Sequence, residues 1–231
     1  MPKPKLSQYR GDLDAAQIAH GMNAARRNAR RLADDARALH DLTRFPTATA
    51  VSILSIEESG KLTILRGLAI APTPEIRRQR WKDYQSHRSK NVAWIIPELY
   101  LKGARTLESL SLAADPSADH TALLDQLKQL SLYTDCLGAG NWCEPANVID
   151  EALSHALLQI ADLLAKGRPV TELEVQLWIA HMGPTYGESL ERQKASLEAW
   201  YAAMTEHGLR DEEHGENGPV SLETFLWGNK H

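Results

Sequence analysis

Apolar residues recur along most of this 231-residue chain at intervals of three and four positions, and prolines and glycines interrupt the pattern. This spacing is typical of amphipathic helices, whereas a half-buried strand would alternate apolar and polar residues at every second position. The sequence contains no run of alternating β-branched residues that would indicate a sheet. It therefore predicts an all-α fold, a helical bundle with additional helices towards the C-terminus.

Capping residues, prolines and glycines place the ends of the predicted helices. The helices are predicted from Asp12 or Asp14 to about residue 42, at about 45–68, from Pro74 towards residue 112 with a kink at Pro97, from a cap at Ser117 or Asp119 past residue 130, at 145–164, at 171–181 and at 187–207. The second is apolar on nearly every side, which is typical of the central helix of a bundle. Residues 137–145 are predicted to form a loop.

The helical pattern and the composition divide the chain into two predicted units. Residues 1–207 are predicted to form the helical domain. Residues 208–231 are predicted to form an acidic linker and an apolar tail, which we expect to dock on the bundle or on a partner because it is too apolar to stay in water.

Composition narrows the class of protein. No stretch approaches the roughly 18 to 20 apolar residues of a membrane-spanning helix, and the basic N-terminus is not followed by the apolar core of a signal peptide. Two cysteines are too few for a disulfide framework, and no metal site is predicted. The formal net charge of −4 argues against a surface coated with basic residues. We expect a soluble cytoplasmic protein without a membrane partner.

Three charged residues interrupt the apolar second helix. Glu57 and Lys61 stand four positions apart, and Glu58 and Lys61 stand three apart, so either carboxylate can meet the ammonium. Glu58 and Lys61 also share a stripe with Leu54 and Leu65, where burial is expected. Two roles stay open: an ion cluster that holds the helix in register, or a carboxylate that orients a catalytic cation or imidazole on the next helix.

The third predicted helix carries many basic and polar side chains between residues 77 and 90. Arg80 and His87 are seven positions apart, which is about 700° of rotation, so on one helix they face the same side. Tyr84 and Lys90 flank that stripe. One helix face would then present a guanidinium, a phenol, an imidazole and an ammonium.

Such a set of groups suits the cleavage of RNA without a metal ion or another cofactor. An imidazole can take a proton from the ribose 2′-hydroxyl and return one to the departing 5′-oxygen, because its pKa lies near neutrality. Cations stabilise the additional negative charge on the phosphate, and an aromatic ring can stack on a splayed base. The alternative is a basic stripe that keeps a long helix soluble.

A second basic cluster lies on the first predicted helix, at Arg26, Arg27, Arg30 and Arg31. Its helical spacing could follow a phosphate backbone. The favoured alternative is a solvated face on which these arginines pair with Asp34 and Asp35.

Three stretches carry a family resemblance: residues 28–36 leading through Pro46 to residues 55–61, then residues 81–90, and then residues 132–135 with Trp142 and Pro145. In this order and separation they resemble the AbiV abortive-infection family of the HEPN superfamily, over roughly residues 14–164. The resemblance implies a helical bundle, often a symmetric homodimer, that acts in antiphage defence and is associated with arrest of translation. Many HEPN proteins are metal-independent ribonucleases with an arginine, four to six residues and a histidine, and Arg80 and His87 fit with six between.

We therefore expect a defence effector that cleaves RNA or otherwise blocks translation, with His87 as general acid or base and Arg80 as phosphate stabiliser. The predicted catalytic residues are Arg80, His87, Lys90, Glu57, Glu58 and Lys61, and the predicted substrate contacts are Trp81, Tyr84, Arg77 and Arg88. The alternative is a non-catalytic protein that binds a phage or ribosomal partner. In that case Arg80, His87 and Glu58 would form a buried polar network that fixes the bundle.

Overall fold

The computed structural model describes residues 8–103 and 115–209, and these residues are mainly helical. The helices are α1 (Ala15–Asp41), α2 (Phe45–Ala69), α3 (Pro74–Gln85), α4 (His87–Lys90), α5 (Ile96–Leu101), α6 (Asp119–Leu132), α7 (Pro145–Val148), α8 (Glu151–Leu164), α9 (Glu172–Met182) and α10 (Leu190–Glu206), with 3-10 turns at Ala93–Ile95 and Gly183–Thr185. The predicted all-α class is confirmed.

The first two helices form the frame of the bundle, and their predicted ends are confirmed. Asp14 caps α1, because its side chain accepts a hydrogen bond from the backbone of Gln17 at 2.7 Å and its own backbone donates to the Gln17 side chain at 3.0 Å. Small buried residues on α1 let α2 approach closely, and the Ser55 hydroxyl of α2 donates to the carbonyl of Ala29 at 2.8 Å.

Helix α2 is the centre of the fold, as its all-round apolar sequence predicts. It packs against α1, α3, α4, α6, α8 and α9. Two buried apolar clusters lie along it. One is formed by Ile18, Ala19, Met22, Leu65, Leu68, Trp81, Val170 and Val175, and the other by Ala29, Ala33, Ile53, Ile56, Leu124, Leu157, Ala161 and Ala165. Polar residues between these clusters are therefore held by a rigid core.

The prediction of one long third helix is wrong. Helix α3 begins at Pro74 as expected but ends at Gln85, because Ser86 adopts an extended conformation with ψ of 125°. The Ser86 hydroxyl then accepts a hydrogen bond from the backbone of Ser89 at 3.2 Å and caps the new helix α4. Pro97 lies at the start of α5 rather than at a kink, and residues 104–114 are outside the described part.

Three smaller differences concern the second half of the chain. Helix α6 follows Ala118, which provides no side-chain cap, so neither Ser117 nor Asp119 is the N-cap. The predicted loop at 137–145 contains part of an antiparallel hairpin of β1 (Asp135–Leu137) and β2 (Asn141–Cys143), in which Cys136 faces Trp142. The predicted helix at 145–164 is divided at Ile149 and Asp150.

The last helices agree with the sequence, and Thr171 caps α9. No helix in the described ranges has the length and apolar character needed to cross a membrane. The predicted tail, from residue 210 onwards, is outside the described residues.

Candidate functional site

The site is centred on the buried carboxylate of Glu57, in the middle of α2. Its Oε2 atom lies 2.8 Å from His87 Nδ1 on α4 and 3.6 Å from Lys90 Nζ, and its Oε1 atom accepts a hydrogen bond from Lys128 Nζ on α6 at 2.6 Å. Only 4% of the Glu57 side chain is exposed. A buried charge needs such partners, and here one carboxylate ties three helices together.

His87 is the exposed member of this cluster, with 52% of its side chain accessible to solvent. Because a carboxylate accepts hydrogen bonds and does not donate them, the 2.8 Å contact places a hydrogen on Nδ1 and leaves the lone pair of neutral imidazole on Nε2. Nε2 has no hydrogen bond to any residue in the described part of the chain. An imidazole held by one nitrogen and free at the other can exchange a proton with a ligand.

Lys128 is a site residue that the sequence did not reveal. Its ammonium lies 2.9 Å from Asp125 Oδ1 in an ion pair and 3.2 Å from His87 Nδ1. Burial disfavours its charge, but the contacts with Glu57 and Asp125 outweigh burial and raise the pKa of Lys128. A signal was present, because Lys128 shares the buried stripe of α6 with Leu124 and Ser131.

Lys90 supplies a second buried cation. Burial lowers the pKa of its ammonium, and the nearby carboxylate of Glu57 opposes part of that effect. The Lys90 backbone also fixes the distance between α4 and α2, because a Cβ atom on Gly60 would overlap the Lys90 carbonyl oxygen. Glycine is required here for close approach rather than for its backbone angles.

The predicted pair of Glu58 and Lys61 forms, and both side chains are mostly buried. The Lys61 ammonium also lies 5.2 Å from the centre of the Tyr84 ring, within the range of a cation–π contact. The alternative pairing of Lys61 with Glu57 is not the one observed, since Glu57 faces α4 and α6. Glu58 and Lys61 thus form a neighbouring ion pair next to the Glu57 cluster.

Arg80 is not part of the cluster, which corrects the expectation that it shares a face with His87. Its guanidinium donates to Asp83 at 3.2 Å and to the Tyr186 hydroxyl at 3.1 Å, and it packs near Gly67 of α2. Gly67 is ten residues from Glu57, which is about 15 Å along the helix. The helix end at Ser86 separates the two side chains.

The four predicted substrate contacts differ in their burial and in their partners. Trp81 is buried and donates to the carbonyl of Gly11 at 3.1 Å, so the expectation that it stacks on a base is wrong. Tyr84 packs at the edge of the core, and Arg77 forms an ion pair with Asp12. Arg88 is exposed next to His87 and donates to the Thr121 hydroxyl at 3.3 Å.

Two of the four arginines in the α1 cluster pair with acidic residues as the favoured alternative predicted, whereas Arg26 donates to the carbonyl of Gly167 at 2.6 Å. Arg30 contacts Asp34 and also Asp162 of α8, at 2.8 Å in the latter case. Arg31 contacts Asp35 at 2.8 Å. Arg30 therefore joins α1 to α8, whereas Arg31 is paired within α1.

Glu57, His87 and Asp125 are the only group of three potential ligands that could hold a metal ion among the residues described. The Nζ atom of Lys128 lies between them, at 2.6, 3.2 and 2.9 Å. A divalent ion would have to displace this ammonium.

A second buried glutamate, Glu174 on α9, serves as a comparison. Arg66 of α2 donates to its Oε1 atom at 3.0 Å, and Arg168 forms an ion pair with its Oε2 atom at 3.0 Å without hydrogen-bond alignment. The Arg66 guanidinium lies 5.7 and 5.6 Å from the ring centres of Trp178 and Trp200. This cluster joins α9 and α10 to α2.

The helical fold is consistent with a HEPN-type protein. In a comparison with protein families, residues 17–166 match the model of the AbiV family. The chain belongs to the AbiV family, which indicates a role in abortive infection, a form of antiphage defence. No curated protein and no solved structure gave a match. Helices α9 and α10, together with Arg168 and Glu174, lie beyond the matched residues.

Proposed function

We propose that this protein is an antiphage effector that cleaves RNA without a metal ion, with His87 as its proton-transfer group. The observation that carries the proposal is the environment of one imidazole: Nδ1 contacts a buried carboxylate at 2.8 Å, while 52% of the side chain faces solvent. A purely structural histidine needs no exposed nitrogen. Cleavage of RNA used in translation would also account for an arrest of translation.

The chemistry follows from the available nitrogen. His87 Nε2 accepts the proton of a ribose 2′-hydroxyl while the 2′-oxygen attacks the adjacent phosphorus. The bond to the 5′-oxygen breaks, and that oxygen leaves with a proton from an imidazolium. The products are a 2′,3′-cyclic phosphate and a 5′-hydroxyl. Glu57 stabilises the imidazolium formed in the first step, since it accepts the Nδ1 hydrogen.

In this proposal Arg88, rather than Arg80, stabilises the negative charge on the phosphate. Arg88 is exposed and follows His87 in the sequence. Arg80 instead contacts Asp83 and Tyr186, and it lies beside α2 near Gly67 rather than near Glu57. The ammoniums of Lys90 and Lys128 add positive potential beneath the site. We expect a symmetric homodimer to bring two copies of His87 together, so that one can act as base and the other as acid.

A non-catalytic protein that binds a phage or ribosomal partner is the competing function. It requires His87 to serve mainly as a structural contact of the bundle. The exposure of His87 favours the catalytic proposal, and the two proposals differ in what the loss of the imidazole changes.

The direct test compares the purified wild-type protein with the His87→Ala variant on total RNA in the presence of EDTA. We expect the variant to lose at least about 100-fold in cleavage rate, the usual contribution of a general acid or base. RNA end analysis should find cyclic phosphate and 5′-hydroxyl termini. The free energy of unfolding should change by less than about 1 kcal/mol, because one partly exposed hydrogen bond is lost.

His20→Ala is the matched control, because His20 is an exposed histidine on α1, outside the site. It should leave cleavage unchanged. Equal RNA profiles from wild type and His87→Ala would refute the ribonuclease proposal. A large loss of stability in His87→Ala without any effect on RNA would support the binding protein instead.

A further inference from the structure

We propose that Lys128 is the resident cation of the site: its ammonium takes the position among Glu57, His87 and Asp125 that a divalent metal ion would otherwise occupy, and it keeps the imidazole of His87 in place. Nothing in the family match assigns a role to this residue. Its consequence for catalysis rests on the proposed function of His87, whereas its place as the bound cation does not.

The distances carry the proposal. The atoms of the three potential ligands all lie within 4.8 Å of one another, and Zn²⁺ binds imidazole nitrogen and carboxylate oxygen at about 2.0–2.2 Å, so small movements would close them on one ion. Lys128 Nζ already lies 2.6 Å from Glu57, 2.9 Å from Asp125 and 3.2 Å from His87. One ammonium therefore lies at the centre of the three ligand groups, where it pairs with both carboxylates and lies next to the His87 ring, whose Nδ1 hydrogen is directed to Glu57.

Charge supports the same assignment. Two carboxylates lie on either side of Lys128, and only 6% of its side chain is exposed. Without a cation between them, Glu57 and Asp125 would repel each other and Glu57 would turn towards Lys90 alone. Because the hydrogen bond from His87 Nδ1 to Glu57 fixes the ring, the imidazole would lose its fixed orientation when Glu57 moves. Lys128 is thus a positioning residue, which acts on the reaction through Glu57 and His87.

The test removes the ammonium and asks whether a metal ion replaces it. Full-length wild type, Lys128→Ala and the double variant Lys128→Ala/His87→Ala are titrated with Co²⁺, followed by visible absorption, and with Zn²⁺, followed by calorimetry. We expect Lys128→Ala to bind one ion per chain at least about tenfold more tightly than wild type, which must first displace its own cation. The double variant should lose this gain.

The double variant is the matched control, because it keeps the other histidines and both cysteines. Equal affinities in wild type and Lys128→Ala would overturn the proposal, and so would a gain that survives the loss of His87. These measurements use no RNA. A wild-type protein that fails to cleave RNA would therefore refute the proposed function and leave the metal result to decide the role of Lys128.

A second measurement covers the case in which Lys128→Ala does not fold. Nitrogen-15 NMR of lysine side chains in the wild-type protein should show an ammonium that exchanges its hydrogens slowly, and Asp125→Asn should shift that signal. The absence of a protected ammonium that responds to Asp125 would contradict the proposal.

Discussion

Two buried glutamates in this molecule are each paired with basic side chains, three for Glu57 and two for Glu174, and their surroundings differ in one decisive way. Glu57 contacts buried ammoniums and an imidazole that is half exposed. Glu174 contacts two guanidiniums, and aromatic rings cover one of them. Guanidiniums stay protonated in proteins, so the Glu174 cluster has no cation that can exchange a proton near neutrality. The Glu57 cluster presents an imidazole to solvent.

The comparison shows that burial of charge does not by itself indicate a functional site. Both carboxylates are paired with cations, and both join helices of the bundle. What distinguishes Glu57 is that one of its partners is an imidazole whose side chain is 52% exposed and whose second nitrogen can contact a ligand. The position of the clusters agrees with this, because the matched family region contains Glu57 and ends before Glu174.

The largest effect on stability should come from Glu57→Ala. Its loss leaves Lys128 and Lys90 buried without their shared carboxylate, and removal of one partner of a buried pair costs about 3–5 kcal/mol. Urea denaturation measures the free energy of unfolding. Glu58→Ala is the control, because its single ion pair with Lys61 should contribute less. A smaller loss for Glu57→Ala than for Glu58→Ala would contradict the central place given to Glu57.

Glu174→Ala should cost less, about 2 kcal/mol, which corresponds to the loss of a charge-assisted hydrogen bond. The reason is exposure: 34% of the Arg66 side chain and 47% of that of Arg168 reach solvent, so both guanidiniums can be hydrated after the change. Denaturation is again the measurement, with exposed Glu172→Ala on the same helix as control. If Glu174→Ala costs more than Glu57→Ala, exposure of the partners is not what separates the clusters.

The smallest effect is expected for Arg66→Lys, about 1 kcal/mol, because an ammonium keeps the charge near Glu174 but loses the flat contact with Trp178 and Trp200. In a chain of this size, this lowers the melting temperature by about 2–4 °C. Arg168→Lys is the control, since Arg168 has no cation–π contact with a ring among residues 8–103 and 115–209. Equal shifts in both variants would show that the rings do not contribute.

Much of the frame could be predicted from sequence, because its signals are local. Asp14 and Thr171 are cap residues followed by helical periodicity, and Pro46 marks the start of α2. The division after Gln85 could not be predicted in the same way. No proline or glycine stands there, and the break depends on the Ser86 side chain and on the packing of α4 against α2 and α6.

The candidate site was predictable only in part for the same reason. The chemistry of Glu57, His87 and Lys90 predicts them as site residues, and the structure brings them together. A continuous helix would align Arg80 with His87, but the helix ends at Gln85 and the two side chains are separated. Lys128 is 71 residues from Glu57 in sequence. A lysine three positions from an aspartate on a helix is typical of a solvated pair. The stripe that Lys128 shares with Leu124 indicates burial, but its pairing with Glu57 depends on the packing of α6 against α2.

The close approach at Gly60 has a consequence for how the site tolerates mutation. The obstacle to a larger residue is main chain, the Lys90 carbonyl, so no change of rotamer can make room for a methyl group. A single codon change to alanine would therefore push the His87 segment outward while every charged side chain is retained. Inactive alleles can arise at this position although the substituted residue carries no functional group.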